Sequence, residues 1–164
     1  MKNPDYIQSK IFGLPALMQQ LVRWRFLNKK IAFTNGCFDI LHRGHVYSLS
    51  DAAREADILI VGLNSDLSVR QLKGEHRPVN DQGSRALLLV SLVMVDAVVI
   101  FEEETPLQLI SAILPDVLVK GGDYKLEEIV GAKEVMANGG RVVINPVVPG
   151  FSTSGIITRI GKQV

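Results

Sequence analysis

Gly36-Cys37-Phe38-Asp39-Ile40-Leu41-His42-Arg43-Gly44-His45 is the stretch of this chain best equipped for chemistry. It comes after the apolar run Ile31-Ala32-Phe33-Thr34 and leads into residues with helical spacing. A buried strand therefore hands two histidines, His42 and His45, to the first turn of a helix. The leading N–H groups of a helix lack internal partners and the macrodipole is positive there, so anions gather. Gly44 omits a Cβ where a phosphate would approach the backbone. Imidazole N–H donors complete a site suited to a polyphosphate. A helical zinc site is a poorer account, because it needs histidines at i and i+4 and a third ligand. These stand at i and i+3, and no Cys or acidic cluster completes a set.

The elements that must position this loop alternate along the chain. Strands are expected at Ile31–Asn35, Ile58–Leu63, Ala97–Phe101, Val117–Val119 and Val142–Ile144, the second too uniformly apolar for an exposed antiparallel strand. Leu14, Leu17, Met18, Leu21 and Val22 recur at helical spacing, which predicts an amphipathic helix over about 14–27. Further helices are expected over Gly44–Ala56, Ser84–Val93, from Pro106 to before Pro115, and over Glu127–Asn138. The last of these is closed by Gly139-Gly140. Ser152-Thr153-Ser154 caps a final helix from about Gly155. Residues 65–83 read as a long polar connection, of the kind that usually serves function.

This alternation implies an α/β chain: a single doubly wound, Rossmann-like domain with a five-stranded parallel sheet. Residues 28–164 form that domain, and 1–27 an N-terminal extension and helix packed on it. Ligands of such sheets bind beyond the carboxyl ends of the strands. The polar loops all fall there, carrying Asp39, His42 and His45, then Asn64, Asp66, Lys73 and Arg77, then Lys120–Tyr124 and Ser152–Ser154.

Composition excludes several classes. The 164 residues carry a net charge of +1, which gives no electrostatic case for nucleic acid or an anionic membrane as partner. The single cysteine, Cys37, excludes an internal disulfide framework, suits a reducing compartment and reads as a small buried apolar residue. Met1–Lys10 is polar, and Gln19, Gln20, Arg23 and Arg25 interrupt the next apolar stretch, unlike a secretory signal. No apolar run is long enough to cross a bilayer, so a cytoplasmic location is expected.

The full string, G-x-F-D-x-x-H-x-G-H, resembles the signature of the nucleotidyltransferase superfamily, which includes cytidylyltransferases and adenylyltransferases. Every signature position is present. In that chemistry a phosphate oxygen of the acceptor attacks the α-phosphorus of a nucleoside triphosphate, and pyrophosphate leaves. Cations and N–H donors around the phosphorus matter more there than a nucleophilic side chain. His42 and His45 fit as donors to the α- and β-phosphates, the role the resemblance gives the signature histidines. Lys73 and Arg77 suit a closing lid over the pyrophosphate or acceptor phosphate, or simply a solvated basic loop. Ser152, Thr153 and Ser154 offer hydroxyls and helix N-terminal amides near the triphosphate. Asp39 suits orienting a substrate group or a metal-bound water, or capping the adjacent turn.

From about residue 28 onward the chain is most similar to the adenylyltransferases that make ADP-heptose. The matching segments include Thr34–Asp39, Val61–Asp66, Leu72–Gly74, Arg77–Asn80, Phe101–Pro106, Glu134–Gly140 and, most diagnostic, Val119-Lys120-Gly121-Gly122-Asp123-Tyr124. The resemblance implies ATP and a sugar 1-phosphate as substrates, with Mg2+ held mainly by substrate phosphates. It implies a nucleotide site at Gly36, Cys37, Phe38, Gly44, Lys120, Gly121, Asp123, Ser152, Thr153 and Ser154. Asp39, Asn64, Asp66, Arg77 and Arg85 would then serve the acceptor. A separate sugar kinase would supply the phosphorylated heptose, and a homodimer is the base-rate expectation. One departure concerns Arg85: the family usually has an acidic residue two positions earlier, where this chain has Gly83. A glycerol-3-phosphate cytidylyltransferase, or a non-catalytic nucleotide-sensing module, are the alternative readings.

Overall fold

The computed structural model describes residues 5–146 and 150–161; the outermost parts of the expected N-terminal extension (1–4) and of the expected domain (162–164) lie outside the described residues. In chain order the elements are α1 (Asp5–Gln8), β1 (Ile11–Phe12), α2 (Leu14–Phe26), β2 (Ile31–Gly36), α3 (Arg43–Ala53), β3 (Ile58–Asn64), α4 (Asp66–Lys73) and α5 (Gln82–Val90). Then come β4 (Ala97–Phe101), α6 (Leu107–Ile113), β5 (Val117–Gly121), a 3-10 turn (Leu126–Glu128), α7 (Ala132–Ala137), β6 (Arg141–Asn145) and α8 (Thr153–Gly161).

The strands form one parallel sheet in the order β1-β4-β3-β2-β5-β6. It has six strands where five were expected. The addition is β1, which pairs Ile11 with Val98 and Phe12 with Val99. Two residues are too few to show an alternating pattern, so only the partner strand reveals them.

Alternate strand residues enter opposite cores. Ile31 and Phe33 of β2 pack with Leu17, Leu21, Ile110, Ile113 and Val135 from α2, α6 and α7. Ala32 packs on the other face with Leu49, Ala52, Ala86 and Leu89 from α3 and α5. Burying each large apolar side chain contributes roughly 1.5–3 kcal/mol. Ahead of β2, α2 packs on the sheet through Leu17 and Leu21.

Two further expectations are corrected. Residues 65–83 hold the helix α4, whose first N–H groups are capped by Ser65 Oγ accepting from the Ser68 N–H at 3.1 Å. Only Ser68 and Val69 of α4 are buried, so its apolar stripe is too thin to read as periodic. The helix expected over Glu127–Asn138 is broken into a 3-10 turn and α7 by Gly131 (φ 85°). A Cβ there would stand 2.7 Å from the Ile110 side chain, so the chain must turn tightly against α6.

The chain visits β2, β3 and β4 outward in one direction, then returns to place β5 on the other side of β2. The order reverses between β2 and β5, and a crevice opens beyond their carboxyl ends.

Candidate active site

The signature loop leaves β2 at this reversal. Phe38 has a positive φ of 45°, and its ring meets His45 edge-on with centroids 5.1 Å apart. His42 is the N-cap of α3 but makes no side-chain cap hydrogen bond. Its carbonyl accepts from the His45 N–H at 2.9 Å, which leaves the imidazole uncommitted. The two rings stack, centroids 3.8 Å apart and 16° from parallel. Nδ1 of each is buried with no hydrogen-bond partner among the described residues, an arrangement that costs stability unless a ligand completes it. Burial pushes His45 down to about 4, and the neighbouring His42 adds to the shift. Burial lowers His42 as well. Gly44 permits the crowding: a Cβ would lie 3.1 Å from the His42 ring and from Phe151 Cβ.

Two cavities at the sheet's carboxyl edge are lined by residues of the signature loop. The histidine cavity, about 150 Å3, is lined by His42, Gly44, His45, Ser48, Gly121, Pro146 and Phe151. The larger one, about 350 Å3, collects Asn35, Gly36, Cys37, Asn64, Lys73 and Lys120 from the ends of β2, β3, α4 and β5. Glu104, Thr105, Tyr124 and Glu128 close its rim. Lys120 Nζ lies 3.4 Å from Asn35 Oδ1 and 5.5 Å from the Tyr124 ring centroid. No carboxylate pairs with it among the described residues, and burial lowers its pKa. Burial raises the Cys37 thiol, with Lys73 the largest opposing influence.

The remaining residues singled out from the sequence line neither cavity. Asp39 is buried and committed. Its carboxylate accepts from Arg77 Nε at 2.5 Å and from the N–H groups of Val79 (2.7 Å) and Asn80 (3.1 Å). Burial works against its ionisation, yet these hydrogen bonds outweigh it and hold the carboxyl below the usual carboxylate range. Arg85 is fully buried and spans three segments. It donates to the Asn80 carbonyl (3.0 Å), the Cys37 carbonyl (2.6 Å) and Asp66 Oδ1 (2.7 Å). Its acidic partner is thus Asp66, at the start of α4, in place of the residue missing at Gly83. Asp39, Arg77, Asp66 and Arg85 together brace the signature loop against the segment between α4 and α5.

Ser152 Oγ accepts from the Gly155 N–H at 3.0 Å, capping α8, and Thr153 Oγ1 donates to the Ile40 carbonyl at 3.5 Å. Ser154 and Asp123 are exposed. Sequence reasoning gave no role to Arg43, whose guanidinium lies over the rings of Tyr47 (5.1 Å) and Phe151 (5.4 Å). It also passed over Glu104 and Glu128. Their position after strand ends was the available signal, but nothing local marks which carboxylate on such a loop turns toward a cavity.

A doubly wound sheet with stacked imidazoles at a helix start, their Nδ1 atoms without partners among the described residues, is the arrangement that nucleotidyl transfer needs. Comparison with known proteins agrees: the chain belongs to the cytidylyltransferase-like family, whose model matches residues 33–159. It is 57% identical over 143 residues to the bifunctional protein HldE of Rhodopseudomonas palustris, covering 87% of this chain and 29% of that protein. It is 53% identical over 151 residues to the HldE of Acidiphilium cryptum, covering 92% and 31%. The chain thus spans about three tenths of the length of the curated relatives it matches. Among solved structures, the lipopolysaccharide core biosynthesis protein of Thermoplasma volcanium superposes with TM-score 0.60 at 28% identity, over 73% of this chain and 97% of that one. Pantothenate synthetase of Thermus thermophilus shares the fold, with TM-score 0.63 at 19% identity over 93% and 70%. No helix among the described residues is long and apolar enough to cross a membrane.

Proposed function

We propose that this chain transfers AMP from ATP to a sugar 1-phosphate, D-glycero-β-D-manno-heptose 1-phosphate, giving ADP-heptose and pyrophosphate. The observation that carries the reading is the pair of half-buried imidazoles whose Nδ1 atoms are buried without a partner among the described residues, next to a cavity lined by Lys73 and Lys120. The choice of acceptor draws on the likeness to HldE proteins and to the lipopolysaccharide core protein.

In the reaction a phosphate oxygen of the acceptor forms a bond to the α-phosphorus, and the bond from that phosphorus to the pyrophosphate oxygen breaks. Two anions must meet and negative charge moves to the leaving group, so preorganised donors are what accelerate it. His42 and His45 hold the triphosphate, Lys120 and Lys73 neutralise the approaching acceptor phosphate, and the Ser152–Ser154 turn adds hydroxyls. Asp39, Asp66, Arg77 and Arg85 are positioning residues, since Arg77 pairs with Asp39 and Arg85 with Asp66. Magnesium would arrive on the triphosphate, held by phosphate oxygens and water, which suits its reluctance to dehydrate. A kinase, in another chain or another part of a longer one, would supply the phosphorylated sugar.

The test is pyrophosphate release with magnesium, pairing ATP or CTP with the heptose 1-phosphate or glycerol 3-phosphate. Turnover restricted to ATP and the heptose phosphate is expected. Turnover with CTP and glycerol phosphate would replace the acceptor assignment. Nucleotide binding with no turnover in any pairing would replace catalysis with sensing.

A further inference from the structure

We propose that Glu104 and Glu128 are the hydroxyl-reading end of an acceptor subsite in the larger cavity, built for a polyhydroxylated molecule carrying one phosphate. The proposal rests on the nucleotidyl-transfer reading and adds to it the residues that select the acceptor.

The two cavities differ in charge. None of the described residues lining the histidine cavity is acidic. The larger cavity sets Lys73 and Lys120 against Glu104 and Glu128 within about 350 Å3. A triphosphate is repelled by carboxylates and gathers at the histidines. A mixed cavity suits a molecule with one anionic end and many donors at the other. Ionised carboxylates only accept hydrogen bonds, so they take hydroxyls, and such charge-assisted bonds are the strong ones. The volume sits at the small-molecule end of the usual range of about 300–1,000 Å3.

The placement of Glu104 is built into the fold. Of the run Glu102-Glu103-Glu104, only Glu104 lines the cavity. The Glu103 carbonyl accepts from Ser68 Oγ at 3.2 Å, and Ser68 Oγ accepts from Asn64 Nδ2 at 2.9 Å. The Ser65 N–H donates to the Phe101 carbonyl at 2.9 Å. Buried groups at the end of β3 therefore fix the loop that carries Glu104. Without this subsite, a cation-lined cavity alone would hold any phosphate.

The test is calorimetry on the whole chain without nucleotide. Heptose 1-phosphate, methyl phosphate and ATP are titrated separately into the unaltered protein, Glu104→Ala and Glu102→Ala. Glu104→Ala should raise the Kd for heptose 1-phosphate about tenfold or more and leave those for ATP and methyl phosphate unchanged. Glu102→Ala should change none of the three. The subsite is overturned if Glu104→Ala leaves heptose 1-phosphate binding intact, if its loss falls on ATP, or if the unaltered protein holds methyl phosphate as tightly as the sugar. The expected binding pattern without pyrophosphate release would uphold the subsite and overturn the proposed function. Turnover with an unaltered acceptor KM in Glu104→Ala would do the reverse.

Discussion

The imidazoles of His42 and His45 lie face to face, 3.8 Å between centroids and 16° from parallel. Two imidazolium cations cannot share that geometry cheaply, so the free protein keeps the pair neutral near pH 7. His45, pushed down to about 4, stays unprotonated where an unfolded chain has already taken up a proton. The unfolded state then binds more protons between the two values, and stability falls as pH drops through about 6.5 toward about 4. Replacing His45 by Asn removes this contribution. The loss in melting temperature between about pH 7 and about pH 5 should be smaller in His45→Asn than in the unaltered protein. Thermal unfolding by circular dichroism at the two pH values checks it, and equal losses would contradict it.

His42→Ala should lower kcat by about 10²–10³-fold, the usual effect of losing one preorganised donor to a developing charge. The fold should be intact, because the side chain makes no cap hydrogen bond. Steady-state pyrophosphate release, alongside an unchanged far-ultraviolet spectrum, measures both.

Arg85→Met should destabilise the protein by about 3–5 kcal/mol, since it leaves the Asp66 carboxylate and the carbonyls of Cys37 and Asn80 without their shared donor. Arg85→Lys should recover only part of that, because an ammonium cannot reproduce the planar fork that reaches all three. Urea unfolding curves for both variants give the comparison.

Lys120→Met should separate stability from function. The ammonium is largely enclosed without a carboxylate partner, so an apolar replacement of similar length should melt no lower than the unaltered protein. The KM for the phosphorylated acceptor should rise about tenfold or more, as expected on losing a charge-assisted contact. Differential scanning fluorimetry and acceptor titrations provide the two readings.

Five strands and the histidine loop are legible in the sequence because each announces itself locally, by an apolar run or by rare residues at fixed spacing. The features that escape depend on contacts across the chain. Ile11 and Phe12 become a strand only because Val98 and Val99 stand opposite them. The family pattern points to a partner for Arg85 at position 83, within one helical turn, but the partner is Asp66 at the head of the preceding helix. The carboxylate of Asp39 looks available in sequence, yet it is spent on Arg77 and two backbone N–H groups. Glu104 is indistinguishable in composition from Glu102 and Glu103. It is set apart by lining the cavity, on a loop that the Asn64–Ser68–Glu103 hydrogen-bond chain anchors.

Lys120 and Gly121 are neighbours on β5, yet the first borders the larger cavity and the second the histidine cavity. The partition between them is one residue wide. On the proposed assignment the nucleophile reaches the α-phosphorus from one side of that partition, and the leaving group departs on the other. Such an in-line displacement turns the phosphorus inside out. With ATP made chiral by sulfur at the α-position, the product should carry the inverted configuration. Retention would require two displacements through a covalent nucleotidyl-enzyme.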